Sequence, residues 1–202
     1  MPRPAIIFDL GGVLIDWNPR YLYRKLIPDE SEMERFLADV CTPAWNLQQD
    51  AGRPFAEGVA ELVATHPDLE PLITAYYERW DEMLGDALDG TVAILRTLRD
   101  ERYELHALTN WSCETFPIAR QRFPFLTWFE QTVVSGEERT AKPDPRIYRS
   151  LLDRIARRAD ECVFIDDSAP NVATATRLGF DAIRFENPPG LAAALASRGI
   201  AV

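Results

Sequence analysis

The sequence of 202 residues is short of the side chains that do soft-ligand and imidazole chemistry: it holds three cysteines and two histidines. Cys41, Cys113 and Cys162 are odd in number and form no C-x-x-C pair, which argues against a disulfide framework and a thiolate zinc centre. Three partly buried free thiols are expected instead. His106 sits within an apolar alternation and His66 directly precedes Pro67, positions that suit structural roles and weaken any Ser-His-Asp scheme. Positive charge is also scarce, with 22 Lys and Arg against 32 Asp and Glu and a net charge of −10. Such a surface repels nucleic acid phosphates and anionic lipid, so neither is expected as a partner. No apolar run approaches the roughly 18 residues of a membrane span, and the short run Ala5–Phe8 meets Asp9 at once, unlike a signal peptide. A cytoplasmic chain is expected. Glycine (10) and proline (15) are near average, which excludes collagen-like and low-complexity classes.

What is present is a globular composition in short apolar runs alternating with helical spacing, the pattern of a parallel α/β sheet. Expected strands are Ala5–Phe8, Tyr103–Leu108, Gln131–Val134, Cys162–Ile165 and Ala182–Phe185. Expected helices cover Thr91–Arg102, Glu114–Arg122, Pro145–Arg157, Pro170–Leu178 and Leu191–Ser197. From Asn18 to Leu84 the spacing is helical, as in Met33, Phe36, Leu37 and in Phe55, Val59, Leu62, and no strand is evident. That segment is too long for a simple crossover. The reading is a Rossmann-like parallel sheet flanked by helices, in an α/β core over 1–17 and 86–202, with an inserted helical cap over 18–85.

Three expected strands end on residues able to do chemistry: Asp9, Thr109 and the pair Asp166-Asp167. In open parallel sheets ligands bind at the carboxyl ends of the strands, so residues distant in sequence can meet there. Carboxylates brought together repel, and a hard cation such as Mg²⁺, which prefers oxygen ligands, relieves the repulsion. Lys142 stands in Lys142-Pro143-Asp144-Pro145, where Asp144 is a good N-cap and Pro145 suits a first helical turn. A lysine just ahead of a helix start could reach the acidic cluster.

The series Phe8-Asp9-Leu10-Gly11-Gly12-Val13-Leu14, Leu108-Thr109-Asn110, Lys142-Pro143 and Phe164-Ile165-Asp166-Asp167-Ser168 resembles, in order and spacing, the four motifs of haloacid dehalogenase-like hydrolases. The resemblance implies a nucleophilic Asp9. It implies that Thr109 and the following Asn110 hold the transferring group, that Lys142 neutralises charge, and that Asp9, Asp166, Asp167 and the carbonyl of Gly11 bind Mg²⁺. One departure matters. Phosphatases of this kind usually carry a second Asp two residues after the nucleophile as general acid and base, and here that residue is Gly11. Proton transfer of this sort is typically worth about 10²–10⁴ in rate. Asp16, near the hinge into the cap, is the nearby acid that could replace it. The expected activity is Mg²⁺-dependent hydrolysis of a small phosphorylated metabolite, such as a sugar phosphate, through an aspartyl phosphate. Alternatives are a 2-haloacid dehalogenase using the same Asp9, and a binding module that has lost turnover. Trp17, Trp45, Gln48, Gln49 and Arg53 are expected near the cap entrance as substrate contacts.

Overall fold

The computed structural model describes residues 3–202. Seven strands are present among them: β1 (Ala5–Phe8), β2 (Ile15–Trp17), β3 (Leu84–Ala87), β4 (Leu105–Thr109), β5 (Gln131–Val134), β6 (Cys162–Asp166) and β7 (Asp181–Arg184). Five form one parallel sheet in the order β5-β4-β1-β6-β7. The chain therefore builds outward from β1 on one side and returns to build on the other. The switch falls between β1 and β6, the place where an open α/β sheet leaves a crevice at its strand ends.

Helices close both faces of the sheet. Side chains alternate along β1, so Ile6 and Phe8 join one apolar layer and Ala5 and Ile7 the other. On the first face lie Val92, Leu95 and Leu98 of α6 (Asp89–Asp100) and Leu191 and Leu195 of α11 (Pro188–Ala196). On the second lie Ile147, Tyr148 and Leu151 of α9 (Pro145–Ile155) and Ala175 of α10 (Ala169–Leu178). Burial on both faces is why the strands read as continuous apolar runs.

The helical insertion follows β2 and comprises α1 (Arg20–Leu26), α2 (Glu30–Asp39), α3 (Pro43–Asp50), α4 (Phe55–Thr65) and α5 (Glu70–Glu78). Tyr23, Trp45, Phe55 and Tyr76 form its aromatic centre, with Trp45 and Tyr76 edge to face at 5.0 Å. This centre belongs to the same apolar cluster as β1 and α6, so apolar contacts run continuously from the insertion into the core. The indoles of Trp80 and Trp111, at 5.7 Å, link the end of the insertion to the segment after β4. Two short elements, α7 (Phe116–Arg122) and α8 (Ser135–Glu138), complete the core.

Several boundaries differ from the sequence reading for local reasons. Tyr103 does not begin β4, because its N–H still bonds the Leu98 carbonyl and finishes α6. That helix stops before Arg102, which takes φ 62°. The last helix starts three residues early because the Asn187 side chain accepts from the Gly190 N–H and Pro188 suits the first turn. The insertion is also bracketed by strands that the sequence does not announce. β2 and β3 pair antiparallel where the chain leaves and re-enters the core, and at three and four residues they are too short to show alternation. Cys113 is exposed, whereas Cys41 and Cys162 are buried, so only two of the thiols are covered as expected.

Candidate active site

The register of the sheet brings the acids together. Phe8 pairs with Ile165 across β1 and β6, so Asp9 and Asp166 leave their strands side by side. The Asp9 N–H bonds the Ile165 carbonyl at 2.8 Å, fixing that relation through the backbone. Oxygens of Asp9, Asp166 and Asp167 lie within 4.8 Å of one another, with Asp9 and Asp166 buried and Asp167 exposed.

Lys142 answers the buried pair. Its Nζ lies 2.9 Å from Asp9 Oδ2 and 2.7 Å from Asp166 Oδ2, and it donates to the Leu108 carbonyl at 2.8 Å. The ammonium is 1% exposed, and its three donors thus find three acceptors. Burial alone would lower the Lys142 pKa, but Asp9 and Asp166 together raise it above the ordinary lysine value. Asp166 is held by two further groups: the Ser168 N–H at 2.8 Å and Asn171 Nδ2 at 3.0 and 3.1 Å from its two oxygens. Asp9 accepts from the Leu10 N–H at 2.7 Å. Burial pushes Asp9 up to about 7 in the metal-free protein, against the pull of Lys142 and with added repulsion from Asp166.

Three carboxylates share one ammonium here, an excess of negative charge that a divalent cation would offset. Every ligand atom is oxygen, the donor set that suits Mg²⁺ rather than zinc or copper. At the end of the neighbouring strand, Thr109 Oγ1 is buried and has no hydrogen-bond partner among the described residues.

A cavity of about 240 Å³ opens over the cluster, lined by Asp9, Gly11, Gly12 and Asp167 from the core and by Trp17, Asn46, Asp50 and Trp80 from the cap side. It adjoins a wider cleft of about 930 Å³ that Asp9, Asn46 and Asp50 also line and that Lys142 reaches. Small-molecule sites commonly occupy roughly 300–1,000 Å³. The inner chamber is small enough for a reacting group, with the cleft beyond it for the remainder of a molecule.

Known proteins resemble this chain in sequence and fold. The sequence matches the haloacid dehalogenase-like hydrolase family over residues 4–179. The chain belongs to that family. Flavin mononucleotide hydrolase 1 of Arabidopsis thaliana is 32% identical over 118 residues, which are 57% of this chain and only 46% of that protein. A phosphorylated carbohydrates phosphatase of Thermotoga maritima is 24% identical over 184 residues, 89% of this chain and 83% of its own length. Among solved structures, the haloacid dehalogenase family enzyme BT-2542 of Bacteroides thetaiotaomicron, in complex with magnesium and inorganic phosphate, superposes with a TM-score of 0.71 at 27% identity, covering 92% of this chain and 96% of that one. Phosphatases and 2-haloacid dehalogenases both occur among the relatives.

Within this haloacid dehalogenase-like hydrolase the motif residues Asp9, Asp166, Asp167 and Lys142 converge, with Gly11, Asn110 and Thr109 around them. Asn110 both lines the inner cavity and holds the main chain of Lys142. The cap residues divide differently. Trp17 lines the cavity. Trp45 is buried in the cap centre with its Nε1 bonded to the Gly58 carbonyl at 3.1 Å, and Gln49 binds back to the Trp45 carbonyl. Arg53 is tied to Gln49 and Glu61, and Gln48 is exposed; none of these four lines either cavity. Asp16 lines neither cavity as well, because its carboxylate faces the Tyr21 hydroxyl beside β3.

Asn46 and Asp50 are the cap residues that the sequence reading misses. They lie four apart on α3, one face of a helix. Trp45 and Gln49 form the neighbouring ridge, one residue and about 100° away, and that ridge is the buried one. The signal was present in the period but its phase was not. Trp80 begins a single 3-10 turn, Trp80–Met83, and Trp111 lies in the loop after β4, so no periodicity marks either as a lining residue.

Proposed function

We propose that this haloacid dehalogenase-like hydrolase is a Mg²⁺-dependent phosphomonoester hydrolase acting on a small phosphorylated metabolite through an aspartyl phosphate on Asp9. The observation that carries the reading is the joint placement of Lys142 between Asp9 and Asp166, with Asp167 completing an oxygen-only cluster beside the nucleophile. Displacement at carbon, as in a dehalogenase, needs a carboxylate and room for a halide. It gives no role to a cluster of three acids able to hold a metal ion. Phosphoryl transfer does, because negative charge spreads over three equatorial oxygens and must be countered on several sides.

In this reading Asp9, Asp166, Asp167 and the Gly11 carbonyl hold Mg²⁺, which when bound screens the phosphoryl oxygens from the carboxylates. Asp9 Oδ1, oriented by the Leu10 N–H, attacks phosphorus. Lys142, fixed by three acceptors, presents a positive charge that needs no reorganisation during the reaction. The unpaired Thr109 hydroxyl and the chain at Asn110 receive the transferring group. Asn171 and the Ser168 N–H keep Asp166 in place while it binds on two sides. Trp17, Trp80 and Asn46 wall the chamber on the side of the cap, and the wider cleft beyond it is left to distinguish leaving groups.

The test is a release assay on chelator-treated protein, with and without added Mg²⁺, over sugar phosphates, nucleotides, phosphoglycolate and 2-haloacids. Phosphate release that EDTA suppresses and Mg²⁺ restores is expected. Halide release that survives chelation overturns the reading in favour of a dehalogenase.

A further inference from the structure

Gly11 leaves the reaction without the acid that this family usually carries in its first motif, and Asp16 is turned away from the chamber. Three acids line the inner cavity: Asp9, Asp167 and Asp50. Two belong to the metal cluster. Asp50 does not, and it comes from the cap rather than the core, as the last residue of α3.

We propose that Asp50 is the general acid and base of this enzyme, supplied from the cap in place of the missing core aspartate; the proposal rests on the phosphatase reading above. Its position is built from both sides. Asn46 Nδ2, one turn back on α3, donates to Asp50 Oδ2 at 2.9 Å. The Ser112 N–H, in the core segment after β4, lies close enough to the same carboxyl group to favour its charged form, and the Ser135 hydroxyl just after β5 donates to the Asp50 carbonyl. Asn46 thus orients the carboxyl from its own helix, and Ser135 ties the main chain of Asp50 to the core.

The chemistry of these contacts is asymmetric. Every protein partner of the Asp50 carboxyl is a donor, and among the described residues no cation forms an ion pair with it. Asp9 and Asp167 share its inner chamber, while Tyr76, Lys142, Arg20 and Glu34 line the wider cleft with it. Burial pushes its pKa up to about 7, with the Ser112 N–H pulling the other way. A carboxylic acid so placed has an O–H with no protein acceptor, and a leaving-group oxygen in the chamber is the acceptor that remains.

The proton balance closes in two steps. As Asp9 Oδ1 bonds to phosphorus, the bond from phosphorus to the ester oxygen breaks, and that oxygen takes the Asp50 proton and departs as an alcohol. The Asp50 carboxylate then takes a proton from the water that attacks the aspartyl phosphate. Inorganic phosphate leaves, and Asp9 carboxylate and neutral Asp50 are restored.

The experiment compares wild type, Asp50→Asn, Asp50→Glu and the double variant Gly11→Asp/Asp50→Asn, all with Mg²⁺, on p-nitrophenyl phosphate and on the fastest alkyl phosphate of the release assay. Gly11 can accept the side chain: its backbone is outside the left-handed region and an added Cβ meets nothing within 4 Å. Asp50→Asn keeps one acceptor oxygen for Asn46 but has no proton to exchange. It should give a burst of about one p-nitrophenol per site followed by turnover slowed about 10²-fold or more, and no burst of alcohol from the alkyl ester. The double variant should recover both reactions, and Asp50→Glu should retain part of the alkyl rate. Equal slowing on both esters with a raised KM and no recovery in the double variant overturns the proposal, making Asp50 a binding or docking residue. So does a wild type that hydrolyses the aryl ester and no alkyl ester, although the phosphatase reading then stands. Phosphate release from neither ester overturns the phosphatase reading itself.

Discussion

Asn110 and Lys142, 32 residues apart, exchange two hydrogen bonds: Asn110 Nδ2 donates to the Lys142 carbonyl at 2.9 Å, and the Lys142 N–H donates to Asn110 Oδ1 at 2.8 Å. One side-chain amide thus substitutes for a strand partner and pins the main chain of the residue whose ammonium spans Asp9 and Asp166. The segment after β4 and the segment before α9 are locked together at the floor of the chamber.

Asn110→Ala removes both bonds. Each polar group left unsatisfied costs about 1–3 kcal/mol, and the loss falls on the placement of the Lys142 charge. The expected outcome is a fall in kcat of about 10-fold or more together with a lower melting temperature. Asn110→Asp keeps the acceptor for the Lys142 N–H and should fall between the two. Steady-state kinetics with thermal melts check this, and an unchanged kcat in Asn110→Ala contradicts the positioning role.

Lys142→Met leaves two buried carboxylates facing each other without their cation. Breaking a buried pair by removing one partner typically costs about 3–5 kcal/mol, because the surviving charge is uncompensated. Lys142→Met should therefore lose stability of that order at neutral pH as well as activity. Urea denaturation of the Mg²⁺-free protein measures the first, and a denaturation midpoint equal to that of the wild type contradicts the account.

Adjacent glycines in the first motif should behave oppositely. Gly12 has φ 74°, and a Cβ there would lie 2.6 Å from Asp167 Oδ2, whereas Gly11 has neither constraint. Gly12→Ala should be strained and should push Asp167 from the cluster, raising the Mg²⁺ concentration needed for half-maximal activity. Gly11→Ala should leave that concentration close to the wild-type value. Mg²⁺ titrations of the two variants test the contrast, and equal responses contradict it.

The sheet and the meeting of its acids were legible because they are written in local runs. Four apolar residues before Asp9 and four before Asp166 announce buried strands, and a parallel sheet places their ends together once the register is set. Lys142 was legible from its place before the Asp144 N-cap, which the structure retains, with Asp144 accepting from the Arg146 N–H. The cap was legible as helix but not as a surface. Asn46 and Asp50 differ from Trp45 and Gln49 only in phase around α3, and the phase depends on packing against Phe55 and Tyr76, long-range contacts that no local pattern encodes. Asp16 illustrates the same limit. Its sequence distance from Asp9 suggests the chamber, but pairing of β2 with β3 turns it toward Tyr21. Asn171, which anchors Asp166 from within α10, carries no signal beyond its type, since a polar residue near a helix start is ordinarily solvated.

The central claim is that Asp9 carries phosphate during turnover, and rapid acid quenching tests it most directly. Protein mixed with Mg²⁺ and a phosphate ester labelled at phosphorus, quenched within one turnover and digested, should yield label on the peptide containing Asp9. That label should be lost on treatment with hydroxylamine, as an acyl phosphate is, and should be absent in Asp9→Asn, whose amide is nearly isosteric but a poor nucleophile. Phosphate release by Asp9→Asn at the wild-type rate, or label on a peptide without Asp9, would contradict the account.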